Sequence, residues 1–278
     1  MFKILEKQTV AEKINRFVIE VKDIALKALP GQFVIFRVDE KGERIPITIS
    51  DADKENGTIT VFVQEVGKTT EKLGLLKKGD FLRDVAGPLG VPTDIENFGT
   101  AVCVAGGVGT AEIYPIAREL KRVGNKTINI VGARSKNHLI LADEMKKISD
   151  ELYITTDDGS YPSGRKGFVS DVLKEIMEKT KIDIVFAVGP VIMMKVISEI
   201  TKDKKIKTIV SLNPIMVDGT GMCGCCRVSV GGTPKFTCVD GPDFDAHQVD
   251  WNELILRLKT FNDKERISLE ELHKCRII

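Results

Sequence analysis

Four cysteines, Cys223, Cys225, Cys226 and Cys238, crowd together near the C-terminal end of this sequence. Two residues separate Cys223 from Cys226, and Cys238 follows after eleven more. Plant-type [2Fe–2S] sites run C-x4-C-x2-C…C. Counting back from Cys223 in that frame reaches Asp218, so D-G-T-G-M-C-G-C-C matches with a carboxylate in the first ligand position. Interspersed glycines let such a loop wrap closely round an inorganic core. Cys225 is a surplus thiol that should point away. Three chemistries fit. One is a [2Fe–2S] cluster on Asp218, Cys223, Cys226 and Cys238. Another is structural zinc on three or four thiols, although zinc sites usually come as two well-separated Cys pairs. The third is free, buried or redox-active thiols. A carboxylate is a harder ligand than a thiolate, so Asp218 should shift the cluster potential and make ligation sensitive to protonation. Cys103 sits in an apolar run and reads as core, and Cys275 carries no signal.

A second group of residues suits phosphate chemistry. AGGVGTAE (105–112) lies between a predicted strand and a predicted helix, and puts Gly106, Gly107, Gly109 and Thr110 at the helix start. Bare backbone and a helix N-terminus both favour phosphate oxygens. The string reads G-G-x-G rather than G-x-G-x-x-G, and a tight strand-to-helix turn is the plainer alternative. Arg134 ends the next strand and suits a phosphate. Asp158 ends the one after and suits a ribose hydroxyl; simple solvation is the alternative for both. Gly189 and Pro190 end a further strand, where a nicotinamide or ribose could pack, with Met193 and Met194 reading as core. Near the N-terminus, RIPITIS (44–50) ends a strand run, and QEVGKTTEKL (64–73) sets Gly67, Thr69 and Thr70 at a helix start, as a pyrophosphate would require. A strand edge and a capped helix explain the same strings without a ligand.

The elements that must position these residues fall into two textures. Up to about residue 97, the Val-, Ile-, Phe- and Thr-rich runs FVIEV, QFVIFRV, ITIS and TITVFVQEV alternate with turn residues. This pattern suits a small antiparallel barrel, with a β-sandwich as the alternative. From 98 to 212 apolar strands alternate with amphipathic helices, which means βαβ units in a doubly wound parallel sheet. Residues 213–250 read as a loop region carrying the cysteines. Residues 251–278 form a tail, with WNELILRLKTFND helical and SLEELHKCRII adding a further turn. The 278 residues carry 41 basic and 40 acidic side chains, a balance that gives no electrostatic case for nucleic acid or an anionic membrane. No apolar run is long enough to span a bilayer, and the charged N-terminus lacks a signal-peptide core. A reduced, cytoplasmic setting is the expectation.

Taken in order, the barrel, RIPITIS, VGKTTEKL, GPLG (87–90), AGGVG, GAR (132–134), AVGP (187–190) and the cysteine loop resemble the ferredoxin–NADP reductase superfamily. Within it, the chain is similar to the iron–sulfur electron-transfer subunits of dihydroorotate dehydrogenase B and to the small subunits of electron-bifurcating NADH-dependent reduced ferredoxin:NADP oxidoreductases. Asp218 separates these two groups, because the dihydroorotate type usually has Cys there. The resemblance implies an FAD-binding barrel, NAD(H) or NADP(H) on the α/β domain, and one [2Fe–2S] cluster in the C-terminal region. The flavin string R-x-Y-[ST] falls on Ile45, Pro46, Ile47 and Thr48, with Arg44 one position early and Ile47 in place of the aromatic. Thr48 thereby faces the flavin ring, where it would tune the reaction. Gly67, Thr69 and Thr70 match the FAD pyrophosphate string, and Gly106, Gly107 and Gly109 the nicotinamide-cofactor loop, which here ends in Ala111-Glu112 instead of Ala-Pro. The implied chemistry is hydride transfer from NADH to FAD and single electrons onward to the cluster. The implied partner is a larger flavoprotein with its own FAD and [4Fe–4S] clusters, in a heterodimer that serves ferredoxin. Two rivals stand beside it: a dihydroorotate dehydrogenase electron-transfer subunit, and a zinc-stabilised nucleotide-binding regulator without turnover.

Overall fold

The structure, a computed structural model, describes residues 1–275; positions 276–278, the end of the expected helical tail, lie outside the described residues. The N-terminal part runs β1 (Phe2–Ala11), β2 (Ile14–Glu20), α1 (Lys22–Ala25), β3 (Phe33–Arg37), β4 (Arg44–Thr48), β5 (Asp51–Asp53), β6 (Thr58–Gln64), α2 (Lys68–Leu75), β7 (Phe81–Leu82) and β8 (Asp84–Leu89). These strands make two antiparallel sheets, ordered β5-β6-β2-β1-β7 and β4-β3-β8. Ile4, Phe17, Ile19, Ile59 and Val61 of the first sheet meet Val34, Phe36 and Val85 of the second in one buried core. Backbone bonds from Ser50 N to Thr60 O and from Arg83 N to Arg37 O, at 2.9 and 3.0 Å, join the sheets at their edges and give the barrel-like shape. Strand β1 is absent from the sequence reading. Its charged residues Lys3, Glu6 and Lys7 mask an alternation in which Ile4 alone is fully buried.

The central part runs β9 (Thr100–Gly106), α3 (Gly109–Arg122), β10 (Lys126–Ala133), α4 (Ala142–Ile148), β11 (Glu151–Thr156), β12 (Arg165–Lys166), α5 (Val169–Lys179), β13 (Ile184–Val188), α6 (Val191–Asp203) and β14 (Lys207–Ser211). Its strands are parallel, as the alternation of strand and helix predicts. The order β12-β11-β10-β9-β13-β14 steps one way from β9 to β10 and the other way from β9 to β13, so the direction of winding reverses at β9. Open α/β sheets bind ligands at the carboxyl ends of strands beside such a reversal. Cys103 lies fully buried in β9, as its apolar neighbours imply.

Residues 213 onward hold more regular structure than their glycines and cysteines suggest. The chain leaves β14, forms the cysteine loop, then the hairpin β15 (Arg227–Val230) and β16 (Thr233–Phe236), a single turn α7 (Thr237–Asp240), and β17 (Asp243–Asp245). Strand β17 returns to pair antiparallel with β14, with Val210 opposite Phe244. Helices α8 (Trp251–Leu258) and α9 (Asn262–Cys275) follow. Asp250 caps α8 by accepting from Glu253 N at 2.9 Å. The α9 residue His273 reaches back to Glu71 of α2, at 2.8 Å.

Candidate functional site

A cleft of about 640 Å³ opens at the winding reversal, between the barrel and the carboxyl ends of β9, β10, β11 and β13. The strand ends supply Gly106, Gly107, Gly109, Arg134, Gly189 and Pro190, all singled out from the sequence, and the barrel supplies Ile14 and Gln64. Burial of both faces forces the strands to end in small residues here. A Cβ on Gly106 would lie 2.6 Å from Met193 Sδ, and one on Gly109 would lie 2.5 Å from Val188 O. Gly107 differs: its φ is +59° and nothing stands within 4 Å of an added Cβ, so its backbone faces open cleft. Thr110 is buried and its hydroxyl donates to Gly107 O at 2.9 Å, fixing the turn that opens α3. A bare loop at the start of a fourteen-residue helix, facing a cleft, fits a dinucleotide pyrophosphate.

Around this loop the structure redistributes some expected roles. Asp157, not Asp158, lines the cleft. Asp158 is exposed and accepts from Ser160 N at 2.9 Å, which holds its carboxyl below the usual range. Met194 is core, whereas Met193 lines the cleft. His138, Phe168 and Asn213 also line it and carried no motif in the sequence. The signal that could have found them is position alone, each following a predicted strand or opening a predicted helix.

The barrel strings sit beside this cleft. Gln64 ends β6, and Gly67, Thr69 and Thr70 follow at once at the start of α2. Space beside Gly67 is open, with nothing within 4 Å of an added Cβ. Thr69 is buried and donates to Glu43 Oε2 at 2.6 Å, while Thr70 caps the helix by accepting from Gly67 N at 3.0 Å. On β4, Arg44 is exposed opposite Arg37, Pro46 pairs with Ile35, and Ile47 packs against the barrel core. Thr48 ends that strand, and its hydroxyl hydrogen-bonds the Glu112 carboxyl in the first turn of α3. Glu112 lines the cleft. Loss of hydration pushes its carboxyl up, and the nearby Asp243 charge adds to the rise. The Thr48 bond works against both, and the result is about 7. Asp243, at the start of β17, accepts from Thr93 Oγ1 at 2.6 Å, and burial raises it to about 6.

The four candidate cluster ligands fall into two pairs. Asp218 accepts from Thr220 N at 2.9 Å and from Cys223 N at 2.8 Å, and these amides hold its carboxyl below the usual range. Cys226 and Cys238 are both buried, with sulfurs 3.2 Å apart and no disulfide between them. Burial pushes the Cys238 thiol up to about 12, and the Cys226 sulfur adds to the rise. Two buried thiols in contact are poorly solvated as thiolates unless a cation sits between them. Among the described residues no three His, Cys, Asp or Glu groups converge on one point. Cys226 and Cys238 share a core with Phe33 and Ile35 of β3, so the cysteine loop is docked on the barrel. The Cys225 carbonyl accepts from Arg257 Nη2 of α8 at 3.1 Å.

Three family profiles match in chain order: an oxidoreductase FAD-binding domain over residues 1–92, an oxidoreductase NAD-binding domain over 103–199, and the iron–sulfur cluster binding domain of dihydroorotate dehydrogenase B over 213–250. The chain therefore carries sites for FAD, NAD(H) and an iron–sulfur cluster. It is 49% identical to a dihydroorotate dehydrogenase B (NAD(+)) electron transfer subunit homolog of Thermotoga maritima, over 98% of this chain and 95% of that one. It is 36% identical to a probable subunit of the same kind from Methanocaldococcus jannaschii, over 91% and 90% of the two chains. Among solved structures, one of the NADH-dependent reduced ferredoxin-NADP oxidoreductase, studied for flavin-based electron bifurcation, superposes with a TM-score of 0.92. The two share 48% identity over 98% of this chain and 97% of that one.

Proposed function

Since the chain belongs to the dihydroorotate dehydrogenase B electron-transfer subunit family, in the ferredoxin–NADP reductase superfamily, and is an NAD(P)H-dependent flavin iron–sulfur oxidoreductase subunit, we propose that it is the NADH-oxidising small subunit of an electron-bifurcating NADH-dependent reduced ferredoxin:NADP oxidoreductase. In this reading its partner is a larger flavoprotein with FAD and [4Fe–4S] clusters, which serves ferredoxin. The cleft holds the NADH pyrophosphate against the amides that open α3, with Arg134 beside it and Asp157 at the ribose. Gly189 and Pro190 leave room for the nicotinamide to approach the barrel. Thr48 orients the flavin ring, and the start of α2 carries the FAD pyrophosphate. A bound flavin supplies the conversion of a two-electron hydride into single electrons. Asp218 with Cys223, and Cys226 with Cys238, hold a [2Fe–2S] cluster. No helix among the described residues is long and apolar enough to cross a membrane.

The observation that carries this reading is the docking of Cys226 and Cys238 on the same strand, β3, that neighbours β4 and Thr48. A cluster there adjoins the flavin domain, which suits one-electron relay. The carboxylate ligand Asp218 favours the bifurcating type over the dihydroorotate type. Anaerobic co-purification with the native partner tests both. Flavin, iron and sulfide on this chain, a cluster signal in electron paramagnetic resonance after NADH, and NADP reduction that needs both NADH and reduced ferredoxin are expected. Co-purification with a dihydroorotate-oxidising subunit would replace the proposal with the rival reading. A colourless, iron-free chain would overturn both.

A further inference from the structure

The hairpin that leads from Cys226 to Cys238 carries a buried polar group with no role in holding the fold. Its strands pair in one register, with Val230 opposite Thr233, Val228 opposite Lys235 and Arg227 opposite Phe236. Carried one residue further, where β16 gives way to α7, that register sets Cys226 opposite Thr237. The bond expected of such a pair is present: Thr237 N donates to Cys226 O at 3.2 Å. Directly opposite residues of an antiparallel pair project to the same face. Thr237 therefore shares a face with the Cys226 thiol. It also immediately precedes Cys238, whose sulfur lies 3.2 Å from that of Cys226. Thr237 is fully buried, and its hydroxyl has no hydrogen-bond partner among the described residues. The core that the two cysteines share is made of Phe33, Ile35 and Met216, with Leu89 and Phe236 beside it, and these side chains hold no oxygen acceptor. The Asp240 carboxylate at the end of α7 accepts instead from Phe236 N, at 2.6 Å. A dry, unpaired hydroxyl is destabilising, whereas valine has nearly the same shape and no such penalty. A threonine here calls for an acceptor that arrives with the cofactor.

We propose that the Thr237 hydroxyl donates a hydrogen bond to sulfur of the [2Fe–2S] cluster and thereby raises the reduction potential of the cluster. The proposal rests on the cluster reading of the cysteine loop. One electron from the flavin takes a ferric iron to ferrous; no bond is made or broken, and Thr237 keeps its proton. The reduced cluster carries one more negative charge than the oxidised one. A donor at its sulfur therefore favours the reduced form, and hydrogen bonds to the sulfurs are among the factors that set such potentials. Thr237 makes the cluster a stronger acceptor for electrons leaving the flavin. The residue lies outside the ligand spacing, so the cysteine frame alone does not mark it.

The test is an anaerobic redox titration of the full chain in complex with its partner, read by the electron paramagnetic resonance signal of the [2Fe–2S] cluster. Thr237→Val keeps the shape and removes the donor. It should keep its iron and sulfide, and lower the equilibrium constant for cluster reduction about tenfold, a fall of about 59 mV for one electron. Thr237→Ser keeps the donor and should stay within about threefold of the unaltered protein. A purely structural role predicts the opposite sign, because a loosened loop admits water, which favours the more charged reduced form and raises the potential. A second readout is independent of the potential. In heavy water, the reduced cluster of the unaltered protein should show an exchangeable hydrogen coupling that T237V lacks. An unmoved or raised potential in T237V, or an unchanged set of exchangeable couplings, overturns the proposal and leaves the cluster reading standing. If T237V does not load its cluster, the comparison passes to Thr237→Ala against Thr237→Ser, and equal potentials in those two overturn it. An unaltered protein that holds zinc without iron, or no metal, overturns the cluster reading and this proposal with it.

Discussion

The proposed site gives Asp218 two jobs with one carboxylate. It accepts from Thr220 N and Cys223 N, which shapes the loop, and in the proposed site it also ligates iron. These jobs separate by substitution. Asp218→Asn keeps an oxygen for the amides but weakens the ligand, so the loop should survive while iron is lost on desalting, as measured by iron and sulfide analysis. Asp218→Cys should retain the cluster and change its potential in a redox titration, because a softer ligand replaces a harder one. Cys225→Ser should leave the cluster spectrum unchanged, since the plant-type frame makes Cys225 the surplus thiol and Cys226 and Cys238 pair without it. At the residue scale the sequence was legible where spacing carries a signal: the Cys223, Cys226 and Cys238 spacing marked the region that the iron–sulfur profile covers. It was not legible where a single residue of register decides, as between Asp157 and Asp158. There, which carboxylate faces the cleft depends on the turn after β11, and no local pattern specifies that turn.

At the level of elements, the loop from β9 into α3 combines a cleft-facing glycine with a packing glycine. Gly109 lets α3 close against β13, and a Cβ there would press to 2.5 Å from a backbone oxygen that cannot easily yield. Gly109→Ala should therefore cost about 1–3 kcal/mol, read as a fall in thermal midpoint. Gly107→Ala meets no neighbour but adopts a positive φ and places a methyl where a phosphate would approach. It should cost about 1–2 kcal/mol and raise the NADH KM at least tenfold, whereas Gly109→Ala should affect stability more than KM. Acid should test the opposite, amino-terminal end of the same sheet's strands. Asp150 binds Lys121 of α3 and the Thr127 amide of β10, and the Lys121 contact leads in lowering its pKa. Its contribution is complete above the unfolded value of 3.8 and fades as pH falls through the lower folded value, so Asp150→Asn should flatten the stability curve only in that acidic window. The alternation of β9 to β14 was readable because strands buried on both faces are continuously apolar. Strand β1 and the hairpin β15–β16 were not readable. The first is half-solvated and charged, and in the second Gly231 and Gly232 form a turn inside what composition alone marks as loop.

On the scale of the whole molecule, the cysteine region is an excursion of the central sheet, not an appended tail. The chain departs after β14 and rejoins it as β17, so both ends of the excursion are fixed. Val91 N bonds Gly241 O at 2.6 Å and Thr93 bonds Asp243, which ties the return path to the segment after the barrel. Cys226 and Cys238 then insert into the apolar contact with Phe33, Ile35 and Met216. A cluster on these two sulfurs, as proposed, would be held against the FAD-binding domain by the chain that leaves and rejoins the NAD-binding sheet, and this topology would separate input from output. Loss of a cluster ligand should block electron exit without disturbing hydride entry. Cys238→Ser removes one sulfur of a buried pair while conserving shape. The variant should keep its flavin absorbance and be bleached by NADH at the unaltered rate. It should lose the cluster signal and all partner-dependent turnover, and it should lose part of its thermal stability because a hydroxyl replaces a thiol in an apolar core. A variant that lost NADH bleaching as well would mean that the cluster loop shapes the cleft itself, contrary to the separation built into the β14–β17 excursion.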